Sequence, residues 1–163
     1  MQTLKVDNVH RALPEGIDRL YTHGHKRGSR NGEVLVHPEP VTTVFCKPDE
    51  RVLFWQQRDA NPFFHFFEGL WMLSGRRDVA YVSRFVRRMR KFSDDGRNLH
   101  GAYGHRWREH FGFDQLQRVI RMLREDPDTR RAVVTMWDPE SDFDIPGRDF
   151  PCNTHIYFAV NVD

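Results

Sequence analysis

Apolar and polar positions along this chain change period several times, and each change predicts an element. A helix is expected over roughly residues 8–23, followed by "HGHKRGSRNGE", too polar and too broken by glycine for either regular element. "EVLVH", "VTTVF" and "RVLFWQQ" then read as strands, each short, β-branched or aromatic and bounded by Pro or Asp. In "NPFFHFFEGLWMLSG", Asn61 can cap a helix, Pro62 suits its first position and Gly75 follows its end. That helix is apolar nearly all round, which predicts burial. "RRDVAYVSRFVRRMRKF" spaces Val79, Val82, Val86 and Met89 as one helical face, with arginines opposite. "FDQLQRVIRMLRED" offers Asp114 as a cap, Gln117 three residues on, and a stripe of Leu116, Val119, Ile120 and Leu123. "RAVVTMW" and "HIYFAVNV" close the chain as strands, the latter alternating Ile156, Phe158, Val160 and Val162. With no repeat or linker, residues 1–163 read as a single α+β domain; a strand ending flush with the last residue points to a piece of a longer protein.

Composition narrows the class. Of 163 residues 39% are hydrophobic, with 13 Phe and 4 Trp, which excludes a disordered chain. No apolar run approaches the roughly 20 residues of a membrane span, and the start lacks the apolar core of a secretory signal. Two cysteines, Cys46 and Cys152, build no disulfide framework and suit a reducing, cytoplasmic location. The net charge of +2 hides clusters of arginine, and clustered arginine points to phosphate.

Four polar features stand out. Cys152 lies between Pro151 and Asn153, close to His155 and Arg148, a polar setting that makes it a candidate nucleophile; the alternative is an inert thiol. Glu68 sits among Phe63, Phe64, Phe66, Phe67, Leu70, Trp71 and Leu73. Burial there would raise its pKa, as a general acid or base requires; the alternative is a carboxylate at the helix surface. Arg130 and Arg131 precede a strand, where they can face a cleft or stand solvated in the turn. Arg30 lies in the glycine-rich turn. A rival class, a non-catalytic nucleic-acid-binding module, draws on Arg76, Arg77, Arg84, Arg87, Arg88, Arg90 and Lys91, which a solvated helix face explains about as well.

Order and context add more than any one of these residues. "FFHFFEGLWMLSG", "GAYGHRWR", "DPDTRRAVVTMWDP" and "PCNTHIYF" resemble, in the same order, the Glu-Leu-Leu-Trp, Tyr-Gly-x-Gln-Trp-Arg, Ser-Arg-Arg…Trp-Asn-Pro and Pro-Cys-His segments of thymidylate synthases and pyrimidine hydroxymethylases. "SRNG" is similar to their Arg-Thr-Gly phosphate loop. The resemblance runs from about residue 24 to the end. It implies an α+β fold with a mixed β-sheet carrying packed helices, a sheet that forms a homodimer, and here an incomplete domain. It also implies C5 one-carbon transfer to a pyrimidine nucleoside monophosphate (dUMP, dCMP or CMP), with 5,10-methylenetetrahydrofolate as co-substrate.

On that resemblance Cys152 would add to C6 of the pyrimidine, Glu68 would handle protons through water, and Tyr103 would help remove the C5 proton. Arg30 would clasp the 5′-phosphate from its own subunit, and Arg130 and Arg131 would reach the partner's nucleotide. Met89, Phe92 and Trp71 would lie on the folate side, and no metal is implied. Departures matter too: Asn153 replaces the usual His, Asp138 the usual Asn, and His105-Arg106 the usual x-Gln, while Met89 and Phe92 stand where two folate-lining tryptophans are usual. A weaker wall admits water, which favours a hydroxymethyl over a methyl product. The family's second phosphate segment and its base- and sugar-reading residues would follow the cysteine strand, so this chain alone is expected to be inactive. A degenerate member of the same fold is the alternative.

Overall fold

The computed structural model describes residues 1–29, 32–144, 147 and 149–160. The chain divides into two compact units, Met1–Pro62 and Phe63–Asp163.

The first unit begins with strand β1 (Gln2–Val6), followed by helix α1 (Val9–His23), β2 (His25–Ser29), β3 (Gly32–Val36) and β4 (Val41–Phe45). β1 pairs in parallel with β4, and β2 pairs antiparallel with β3. Leu4 and Val6 are the buried side chains of β1. Asn8 caps α1 by accepting the Arg11 N–H. The segment read as glycine-broken contains strand β2, because a two-stranded ribbon with both faces exposed needs no apolar alternation. "RVLFWQQ" in turn forms no strand, only a 3₁₀ turn at Gln56–Arg58. Pro14 inside α1 has no N–H and frees the His10 carbonyl, which accepts the Trp55 indole N–H at 2.8 Å. The Phe54 N–H donates to His10 Nδ1, so side-chain and backbone bonds to one histidine replace a sheet ladder.

The second unit holds α2 (Pro62–Leu73), α3 (Val79–Val82), a 3₁₀ turn (Arg87–Lys91), α4 (Tyr103–Arg108), α5 (Gln115–Glu125), β5 (Val133–Thr135), α6 (Pro139–Asp142) and β6 (His155–Tyr157). The expected burial of α2 is corrected: Trp71 alone on it is buried, whereas Phe63, Phe66, Leu70 and Leu73 form an exposed stripe. One face of α2 packs on its own chain and this stripe does not. The expected long helix over 76–92 is broken, since Val86 turns extended between α3 and the 3₁₀ turn. β-Branched valines weaken a helix, and the break lets Val79 and Val82 as well as Met89 and Phe92 pack on Trp71, Leu99 and Ala102. The arginines of this segment therefore do not lie on the one continuous helix that the nucleic-acid reading assumes. α5 matches its pattern, with Asp114 accepting the Gln117 N–H and Val119 packing on Ala132 and Val134. Among the described residues the strands form three two-stranded sheets rather than one mixed sheet, because no strand has a second partner.

Candidate active site

Cys152 lies in the loop that enters β6, which pairs antiparallel with β5. The Met136 and Trp137 N–H groups both donate to the Thr154 carbonyl, at 2.8 and 3.2 Å, and tie the loop's far end to β5. Pro151 is buried while Cys152 and Asn153 are exposed, so the proline anchors a thiol that faces outward. The thiol's polar neighbour is the Phe150 carbonyl at 3.9 Å. The Cys152 backbone N–H donates to the Tyr103 hydroxyl at 3.2 Å. Residues 49 apart in sequence thus meet at one point.

Tyr103 opens α4, and two glycines determine where α4 can sit. A Cβ on Gly104 would lie 2.0 Å from the Met72 carbonyl oxygen, so α4 crosses the end of α2 at a distance only glycine permits. A Cβ on Gly101 would lie 2.7 Å from the Phe150 carbonyl carbon. The Gly101 N–H donates to Asp149 at 2.9 Å, which seats the start of α4 against the cysteine loop. Burial is the main cause that raises the Tyr103 pKa above the ordinary tyrosine value, helped by the Cys152 thiol and opposed by the backbone N–H groups of Asn153 and Cys152.

Glu68 projects from α2 with a half-buried side chain, and His65 one turn earlier is its ionic neighbour at 4.0 Å. Desolvation pushes its pKa upward and His65 offsets part of this, in the direction its apolar sequence context predicts. Trp71 is sealed in the core with its indole N–H given to the Asp78 carbonyl. Met89 and Phe92 pack half-buried on the same cluster, so they are the members of the expected folate wall that retain open surface. The Arg88 guanidinium lies 5.7 Å from the centre of the Phe92 ring.

Arg130 and Arg131 are exposed in the turn that leads into β5. Arg131 lines an open groove of about 520 Å³ with Arg118, Arg121, Met122 and Glu125. Arg30 lies outside the described residues. Among those described, no group of His, Cys, Asp and Glu side chains is arranged to hold a metal, and no helix is long and apolar enough to cross a membrane.

Other polar residues that position these elements are harder to find in the sequence. Gln115 is buried and bridges α4, α5 and β5, donating to the Arg106 and Thr135 carbonyls and accepting the Thr135 N–H. Arg106 and Asp142 are buried against each other, with Nη2–Oδ1 at 2.8 Å. Asp138 caps α6 and pairs with His110; bonds from Ser141 and then His110 lower its pKa to about 2. The substitutions at 105–106 and 138 are visible in the sequence as departures, but nothing in it marks Asp142.

Comparisons with known proteins identify the family. Residues 15–163 match the family model described as thymidylate synthase. The chain is 55% identical over its whole length to a "Deoxyuridylate hydroxymethyltransferase" of Pseudomonas phage M6, of which it covers 46%. It is 36% identical over 82% of its length to a protein of the same name from Bacillus phage SP01, of which it covers 37%. A "Putative thymidylate synthase" of Methanopyrus kandleri is 41% identical over 60 residues. The chain therefore spans less than half the length of the phage relatives it matches. With residues 15–163, nearly all of its length, inside the family model and 55% identity to a phage relative over the whole chain, the chain belongs to the thymidylate synthase family.

Proposed function

We propose that the protein carrying this chain transfers a one-carbon unit to C5 of deoxyuridine monophosphate and releases the 5-hydroxymethyl nucleotide. The observation that carries this reading is the exposed Cys152 thiol at the mouth of β6, with its own backbone docked on the Tyr103 hydroxyl. The choice of deoxyuridylate rests on the names of the phage relatives.

In this reading the Cys152 thiolate adds to C6 and turns C5 into a carbon nucleophile. Methylenetetrahydrofolate, as co-substrate, supplies the electrophilic methylene. Half-buried Met89 and Phe92 offer an apolar shelf suited to its flat ring. Tyr103, whose hydroxyl already contacts the Cys152 backbone, relays the C5 proton outward. Glu68 exchanges protons through water, a role its upward shift favours. Water adds to the exocyclic methylene left on C5, and the thiolate departs from C6. The balance is one nucleotide, one methylene donor and one water in, one hydroxymethyl nucleotide and one tetrahydrofolate out. Arg30 holds the phosphate from its own subunit, and Arg130 and Arg131 reach it from the partner of a homodimer.

The test is mass spectrometry of the nucleotide made by the full-length protein from deoxyuridine monophosphate and methylenetetrahydrofolate. The expected product gains the elements of formaldehyde, without the absorbance rise of dihydrofolate. A methyl product with matching dihydrofolate would overturn the hydroxymethyl reading. Cys152→Ser should abolish turnover and leave nucleotide affinity within about tenfold, since affinity rests on arginines. Unchanged turnover would remove the nucleophile.

A further inference from the structure

Arg106 is the largest fully buried side chain described, and it is a cation. An isolated buried guanidinium is costly, so its partners show what the arrangement is built to hold. The fork is bidentate: Nη2 meets Asp142 Oδ1 at 2.8 Å and Nη1 meets Oδ2 at 3.2 Å. Asp142 is equally buried, and its second oxygen also accepts the Asp138 N–H. His100 closes the pair, its Nε2 2.6 Å from Asp142 and 2.9 Å from Arg106, while Arg106 also donates to the His100 carbonyl. On the far side His110 Nε2 lies 3.1 Å from Arg106 and 2.7 Å from Asp138.

This cluster stands at one end of a short ruler. Asp142 is the last residue of α6. His100 is followed by Gly101, which binds Asp149 and abuts Phe150 and Pro151, and then by Tyr103, which accepts the Cys152 N–H. Residues 100–103 therefore touch Asp142 at one end and Asp149, Phe150, Pro151 and Cys152 at the other, and the sole fully buried ion pair described clamps the end away from the thiol. A glutamine at position 106 could bond to a carboxylate but could not neutralise it through two parallel bonds.

We propose that the buried Arg106–Asp142 pair, closed by His100, is a positioning latch that holds the Cys152 backbone on the Tyr103 hydroxyl. The assignment of Cys152 and Tyr103 to catalysis rests on the proposed function; the latch itself rests on the contacts above. It acts through loop placement, so its removal lowers turnover more than nucleotide binding.

Hydrogen exchange with peptide-level mass readout, alongside steady-state kinetics on the full-length protein, tests this. In Asp142→Asn, exchange in residues 149–154 should accelerate at least about tenfold while α5 and β5 stay within about threefold. kcat should fall at least about tenfold with the nucleotide KM within about threefold. Should Asp142→Asn fail to fold, the paired Arg106→Gln, Asp142→Asn variant leaves no lone buried charge and should show the same selective loosening. Selective loosening of 149–154 with a kcat effect supports the latch. Unchanged exchange there in a folded variant, or uniform acceleration across α5 and β5, overturns it. If Cys152→Ser keeps full turnover while Asp142→Asn still loosens 149–154, the catalytic reading falls and the tether stands.

Discussion

Gly104→Ala tests whether the contact of α4 with α2 places the site. A Cβ there would sit 2.0 Å from the Met72 oxygen, 2.5 Å from its Cα and 2.6 Å from its carbonyl carbon. All three are backbone atoms that no rotamer change can move. Carbon contacts relax at about 3.5–4 Å, so α4 must retreat by more than about 1 Å, and Tyr103 moves with it. Overpacking costs about 1–3 kcal/mol, and a backbone collision belongs at the upper end, about 3 kcal/mol. The gain of about 0.5–1 kcal/mol for replacing glycine within a helix offsets part of this and leaves a loss of about 2 kcal/mol. For a unit of this size that lowers Tm by roughly 8 °C or more. Gly69→Ala in α2 is the matched control, since its Cβ meets nothing within 4 Å; it should raise Tm by a few degrees. Thermal melts followed by circular dichroism decide the matter. A Gly104→Ala melt within about 2 °C of the wild type, or at or above that of Gly69→Ala, would refute the reasoning.

Two further predictions concern charge. Glu68 has a folded-state pKa above its ordinary value, so its neutral form is favoured by folding: stability is full below the ordinary carboxylate pKa and declines as pH rises through the raised one. Glu68→Gln should therefore match the wild type in acid and exceed it at neutral pH, and parallel denaturation curves at both pH values would contradict this. Mixing full-length Arg131→Ala with full-length Cys152→Ser should restore some activity through hybrid dimers that contain one intact site. No recovery where subunit exchange is demonstrated would argue against arginines acting across the interface.

Elements with local signals were legible in the sequence, and those that depend on distant partners were not. α5 follows from a capping residue and an apolar stripe, both contained within the segment itself, and α1 fills the helix expected over 8–23. β4 matches its predicted bounds, Val41–Phe45, because β-branched residues between proline and lysine leave little choice. Strand β1 escaped notice because five residues alternating between exposed and buried become a strand only when β4 lies beside them. "RVLFWQQ" has strand composition, yet Pro14, some forty residues earlier, frees the carbonyl that captures Trp55 instead. The stripe on α2 shows the same limit, since apolar spacing identifies the face that excludes water but not whether this chain covers it.

The site divides along the same line. Cys152 and Glu68 were visible as residue types in informative settings and Tyr103 only through the family resemblance; the structure brings Cys152 and Tyr103 together and raises the pKa of Glu68 in the direction its setting implies. Arg106 was visible only as a departure, because its meaning lies in Asp142, 36 residues away and without a local motif. A buried charge is energetically acceptable only as part of a pair, so a charged residue that replaces a neutral one at a buried position calls for an opposite charge elsewhere in the chain. Here that charge sits at the head of the cysteine loop. In the proposed latch, the departure at 106 and the placement of the thiol are coupled through residues 100–103, which touch Asp142 at one end and Cys152 at the other.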